Sequence, residues 1–215
     1  MSTLPTDLRA RMKAQLAAQP APTRSEGSRN AILVHAVAIA GMLAIFEWMG
    51  GLAHSAGRPL GLTFGVAGGV SAVAAIATVL TLPKPGSMLP RRMAVYALLA
   101  VLAPLAVFAA TVSWNAFYTE PFERFGWRCM GLTLSTGSLL VAAIFTARRG
   151  RAVHHAGAQG AAIGAMAAIW ANVLVDLWCP LTNAPHVIVG HAFPTAVLAA
   201  VGFVVGRKVL ALRAR

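Results

Sequence analysis

The chain has 215 residues, of which 58% are hydrophobic and only 11% charged, against about 45–50% and about 25% in soluble domains. Its 18 Lys and Arg outnumber 6 Asp and Glu, giving a formal charge of +12, a balance that in a soluble protein would point to nucleic acid. Here the basic residues fall between long apolar runs, so membrane topology accounts for them first and no direct nucleic-acid contact is expected.

In chain order, residues 1–29 come first and read as a cytoplasmic, partner-binding segment. No apolar stretch or small-residue cleavage site precedes the first long apolar run, so no secretory signal peptide is expected. Leu4, Leu8, Met12 and Leu16 recur at four-residue steps among Arg9, Arg11 and Lys13. That spacing predicts a short amphipathic helix from near Pro5 to before Pro20. Thr23 to Ser28 reads as a polar linker. A helix of about fifteen residues is marginal alone, and two surfaces suit its stripe. One is an anionic lipid surface; the other is a groove on a soluble partner.

A helix needs about 20 mostly apolar residues to cross the hydrocarbon core. Six segments qualify: Ala31–Met49, Leu60–Leu82, Met93–Trp114, Met130–Ala147, Ala156–Trp178 and Val187–Val205. The fold class expected is an all-α membrane protein, a bundle of six transmembrane helices over 30–206 with a basic tail at 207–215. If the chain crosses six times, fifteen Lys and Arg lie on the side of the N-terminal tail and only Arg58, Arg124 and Arg128 on the other. The positive-inside rule then places both termini in the cytoplasm (N-in/C-in), in the inner membrane of a bacterium. Small residues recur every four positions at Gly61, Gly65 and Gly69, and again at Ala156, Gly160, Gly164 and Ala168. Such stripes let helix backbones approach closely, within the bundle or in a homodimer.

No nucleophile elbow, P-loop, zincin motif or paired intramembrane carboxylate is present, so no enzyme activity and no cofactor are expected. The two cysteines are too few and too far apart for a disulfide framework and match no CxxC motif. Chemistry-bearing residues nonetheless gather at the predicted outer face: Cys129 opens the fourth span, Asp176 and Cys179 end the fifth, and His186 and His191 open the sixth. Trp114, Trp127 and Trp178 at that depth read as interface anchors. The Cys, His and Asp residues suit either inert packing or a soft-metal or redox site. His35, near the cytoplasmic end of the first span, is a weak functional flag.

The sequence resembles the NrsF-type (CarR-like) integral-membrane anti-sigma factor family. The resemblance rests on Leu4-Pro5-Thr6-Asp7-Leu8-Arg9-Ala10-Arg11 with Pro20-Ala21-Pro22-Thr23-Arg24, and on Arg128-Cys129 opening a span that closes on Arg148-Arg149. Cys179-Pro180 follows, then His186 to His191 and Pro194 ahead of Gly206-Arg207-Lys208-Val209-Leu210. The ending Leu212-Arg213-Ala214-Arg215 departs from relatives that finish on a tryptophan. The resemblance implies a non-catalytic regulator that sequesters an extracytoplasmic-function sigma factor through residues 1–29, with Leu4, Leu8, Arg11, Met12 and Leu16 as contacts. A stress signal (metal, oxidative or light) then releases it. The family's paired cysteines, matched by Cys129 and Cys179, are associated with sensing.

Two readings from other classes stand beside it. A small transporter or channel subunit would need ionisable groups at mid-membrane, yet Glu47, Asp176, His35 and His191 lie near span ends. A membrane redox or haem protein would need His35 and His191 on one cofactor, and the predicted topology places them on opposite faces.

Overall fold

The computed structural model describes residues 24–55, 59–81, 92–112, 126–148, 153 and 155–210. Six helices carry the fold: α1 (Arg24–Trp48), α2 (Leu60–Thr81), α3 (Met93–Val112), α4 (Trp127–Ala147), α5 (Ala156–Trp178) and α6 (Ala184–Val209). All six are long and apolar enough to cross a membrane. The shortest, α3, has 20 residues, about 30 Å at 1.5 Å per residue. No strand occurs among the described residues. The segment bearing Leu4, Leu8, Arg11, Met12 and Leu16 lies outside them.

Several helix ends extend past the hydropathy boundaries. Helix α1 already begins at Arg24, inside the expected linker, α4 begins at Trp127 rather than Met130, and α6 runs from Ala184 to Val209 rather than Val187 to Val205. Hydropathy marks the residues that suit hydrocarbon, whereas a helix continues as long as its backbone ladder closes. Arg207 and Lys208 therefore sit in the last turn of α6, where positive side chains meet the negative end of the helix dipole.

The core is organised around α5, which packs against α2, α3, α4 and α6. Its run of small residues is the reason. Ala162, Ala165, Ala167, Ala168 and Ala171 are wholly buried, and their short side chains let several helices come close at once. The α5–α6 seam is tightest. A Cβ on Gly160 would lie 2.8 Å from Gly206 Cα, and one on Gly164 would lie 2.7 Å from the Leu198 carbonyl carbon. The small-residue stripe of α5 is thus consumed within the chain. In the stripe of α2, by contrast, a Cβ on Gly61 or Gly69 would meet nothing within 4 Å.

The outward faces are apolar. Ile32, Leu33 and Val37 on α1, and Leu98, Val101 and Leu105 on α3, are each more than half exposed. In water each such side chain forgoes about 1.5–3 kcal/mol of burial; against hydrocarbon that penalty vanishes.

One expected anchor plays another part. Trp178 is buried, and its Nε1 donates to the Met49 carbonyl at 2.9 Å. Met49 directly follows α1, where carbonyls lack partners within the helix, so the indole ties the end of α1 to the end of α5. Trp127 remains exposed, as an interface anchor would be, and Trp114 lies outside the described residues.

Candidate functional site

Side-chain contacts bring five helix ends together: the ends of α1, α3 and α5 and the beginnings of α4 and α6. Gly126, immediately before α4, has φ 77°, a left-handed conformation that disfavours any side chain. A Cβ there would also lie 2.9 Å from the His186 carbonyl oxygen and 3.0 Å from Gly190 N. The first turn of α4 is therefore pressed backbone to backbone against α6, with Cys129 facing the contact. Cys179 follows the last residue of α5, its N–H bonded to the Val175 carbonyl at 2.6 Å.

The two histidines come from an interrupted helix. Within α6, Ala184–Val187 is α-helical, Ile188–Ala192 forms a π turn, and Phe193–Val209 is α-helical again. Phe193 N–H bonds the carbonyl of Ile188, five residues back. Pro194 supplies a cause, because it has no N–H to offer the Gly190 carbonyl. The carbonyls loosened there find side chains instead. Gly190 O accepts from Thr133 Oγ1 at 3.4 Å, and His191 O accepts from Thr195 Oγ1 at 2.7 Å and Asn172 Nδ2 at 3.5 Å. At 100° per residue, positions five apart on an α-helix point about 140° away from each other. The wider π turn offsets that divergence, and the rings of His186 and His191 lie 5.9 Å apart.

The cluster closes around these rings. His186 Nε2 lies 3.3 Å from Cys129 Sγ and 3.2 Å from Cys179 Sγ. One ligand atom from each of Cys129, Cys179, His186 and His191 falls within 4.8 Å of all the others. Cys129 and Cys179 are not joined by a disulfide. Asp176 Oδ1 stands 3.2 Å from His191 Nδ1 and accepts from Thr111 Oγ1 of α3 at 3.5 Å. The His191 ring faces the Asp176 carboxylate on its Nδ1 side and also interacts with Cys179. None of the five side chains is more than 3% exposed, and Phe46, Leu132, Val175 and Trp178 pack beside the cysteines.

The five residues picked out at the predicted outer face thus meet at one buried point. The two sulfurs lie within 4.8 Å of each other, and the four S and N donors stand close enough together to hold a cation. His35 stands elsewhere, with Nδ1 2.6 Å from the Ala31 carbonyl of its own helix, and shares no contact with this cluster. Sequence reasoning missed Thr111, Thr133 and Gly126, since a lone threonine or glycine near a span end carries no distinguishing signal. Gly190 and Pro194 inside one span were the readable hint of a break in α6.

A family model described as negative regulator of sigma F, NrsF, matches residues 16–211, taking in all six helices and every member of the cluster. No curated protein and no solved structure matches the chain.

Proposed function

The chain belongs to the NrsF family of negative regulators of sigma F, and on that premise we propose that it is an anti-sigma factor of the bacterial inner membrane. It holds an extracytoplasmic-function sigma factor at the cytoplasmic face through residues 1–29 and releases it on a stress signal received by the bundle. The family match carries this reading. The positive-inside charge split supports a cytoplasmic N-terminus, and the buried Cys/His cluster supplies a receiver at the opposite end. In this reading the protein has no catalytic role.

The N-terminal stripe is adequate for the task. Leu4, Leu8, Met12 and Leu16, at about 1.5–3 kcal/mol each when buried, give roughly 6–12 kcal/mol of gross burial against the costs of ordering and association. Release requires that the bundle have two states which present this helix differently.

The test uses the full chain in membranes. The parent should retain the sigma factor on the membrane and keep its target promoter silent. Leu8→Asp with Leu16→Asp should free the sigma factor and raise transcription. A promoter that stays silent in that double variant overturns the docking assignment. A C-terminal reporter that is active only in the cytoplasm checks the orientation.

A further inference from the structure

We propose that a groove bounded by α1, α2, α4 and α5 holds one anionic glycerophospholipid, with an acyl chain along its apolar floor and the phosphate at Arg148. The groove lies apart from the Cys/His cluster, and the inference does not depend on the regulatory reading.

The groove follows from how the helices pair. Helix α1 packs along α4, and α2 along α5, whereas α1 and α5 barely meet. Two hollows of about 390 and 330 Å3 open between the pairs, and they adjoin at Leu140 and Trp170, which line both. The indole is held in place there. Its Nε1 donates to Thr78 Oγ1 at 2.9 Å, and that hydroxyl donates to the Ala74 carbonyl at 2.8 Å. With its N–H satisfied, the ring offers the groove an apolar body.

Length and lining suit one acyl chain. Every residue lining the first hollow is hydrophobic, among them Ile39, Met42, Leu43, Val173 and Leu174. Ile39 and Leu43 are about half exposed, so the hollow is open on the α1 side. From Ala31 to Leu43 the groove follows α1 for twelve residues, about 18 Å at 1.5 Å each. One leaflet of the hydrocarbon core is about 15 Å deep, so a chain entering from that leaflet fills the groove. The protein's own N-terminal segment is a poorer occupant, because Arg9, Arg11 and Lys13 would bring like charge to Arg148.

Polarity changes at the other end, and this selects the headgroup. The second hollow is lined by His35, Thr78 and Arg148 beside its apolar residues, and by no acidic one. Arg148 directly follows α4, its N–H bonded to the Ile144 carbonyl at 3.0 Å, so its side chain departs from a fixed backbone. The guanidinium is a planar fork of N–H donors that matches phosphate. His35 Nδ1 lies 2.6 Å from the Ala31 carbonyl and so carries the hydrogen. In the neutral ring Nε2 is then an acceptor, suited to a headgroup hydroxyl. A donor fork for phosphate and an acceptor for hydroxyl, set above an apolar slot, favour a phosphatidylglycerol-type lipid. A zwitterionic lipid would bring its own cation to Arg148. Basic pockets between membrane helices are a recurring way of holding anionic headgroups.

The test measures lipid retention by native mass spectrometry of the detergent-purified full chain, offered phosphatidylglycerol, phosphatidylethanolamine and phosphatidylcholine with identical acyl chains. The expected result is one phosphatidylglycerol per chain, held about tenfold more tightly than phosphatidylcholine. Arg148→Gln should bring the two to parity, while Arg148→Lys keeps part of the preference as a point charge. Leu43→Trp fills the apolar hollow from its open side and should lower retention of all three lipids. A photoreactive amino acid in place of Leu43, irradiated in mixed phosphatidylglycerol and phosphatidylcholine vesicles, gives a readout that needs no weakened variant. Its adduct should be phosphatidylglycerol in excess of that lipid's share of the vesicle. Equal retention of the two lipids by the parent, an undiminished preference in Arg148→Gln, or unaltered retention in Leu43→Trp overturns the site. An adduct that mirrors the vesicle composition, or one to residues 1–29 or to a second copy of the chain, overturns it too.

Discussion

Adding a single methyl group at Gly164 tests whether the α5–α6 seam governs both stability and the cluster. In Gly164→Ala the new Cβ would sit 2.7 Å from the Leu198 carbonyl carbon and 3.1 Å from Ala199 Cα, where carbon atoms normally rest at about 3.5–4.0 Å. Both obstacles are backbone, so no side-chain rotation relieves the clash and the helices must part by about 1 Å. Overpacking of this kind costs about 1–3 kcal/mol. The cluster lies about 18 Å along α5, twelve residues at 1.5 Å each. Cys179 stands at the end of α5 and His186 on α6, so a parallel shift of 1 Å stretches their 3.2 Å separation to about 4 Å. Metal sites tolerate only about 0.2 Å. The expected outcome is a lowered melting temperature in detergent together with weakened binding of Co2+, a spectroscopic probe of a cation held by the four S and N donors. The control is Gly61→Ala, where the same methyl meets nothing within 4 Å and helix propensity favours alanine by up to about 1 kcal/mol. If Gly164→Ala melts with the parent and binds Co2+ equally well, the seam argument is refuted.

Three further substitutions probe separate parts of the site. Trp178→Phe keeps the ring but deletes the donor to the Met49 carbonyl, and should cost about 1 kcal/mol in thermal unfolding; an unchanged melting temperature would show that the α1–α5 tie is dispensable. Thr111→Val removes the hydroxyl that Asp176 accepts without changing the volume much. Co2+ titration should then give a several-fold loss of affinity with an unaltered spectrum, and no loss would remove α3 from the site. Pro194→Ala restores an N–H that can reach the Gly190 carbonyl, favouring a continuous α-helix across Ile188–Ala192. The histidines should diverge and tetrahedral Co2+ absorption should fall, whereas full retention would mean that the π turn does not depend on the proline.

The family match over residues 16–211 agrees with the resemblance read from Arg128-Cys129, Cys179-Pro180 and the His186–Pro194 stretch. Helix number and approximate position were legible because each span must be about 20 apolar residues long whatever its neighbours are. The gathering of Cys129, Asp176, Cys179, His186 and His191 at one depth was legible for the same reason, since alternate crossings return every second loop to one side. Trp178 was misread because hydropathy places a tryptophan at an interface without saying which way its ring turns. The ring turns inward, to the orphan carbonyl of Met49.

What the sequence determined by itself is therefore one-dimensional: six helices of membrane-spanning length, the position of each polar residue along them, and the family. Lateral arrangement was decided only in three dimensions. Which stripe of small residues packs inside was settled by the fit of Gly160 and Gly164 against α6, since both stripes carry the same spacing. Whether two histidines five residues apart could share a site depended on the π turn at Ile188–Ala192, because α-helical periodicity alone would have sent them to different faces. Depth along a span is a property of the chain's own hydropathy, whereas direction around a helix is set by the neighbour that fits against it.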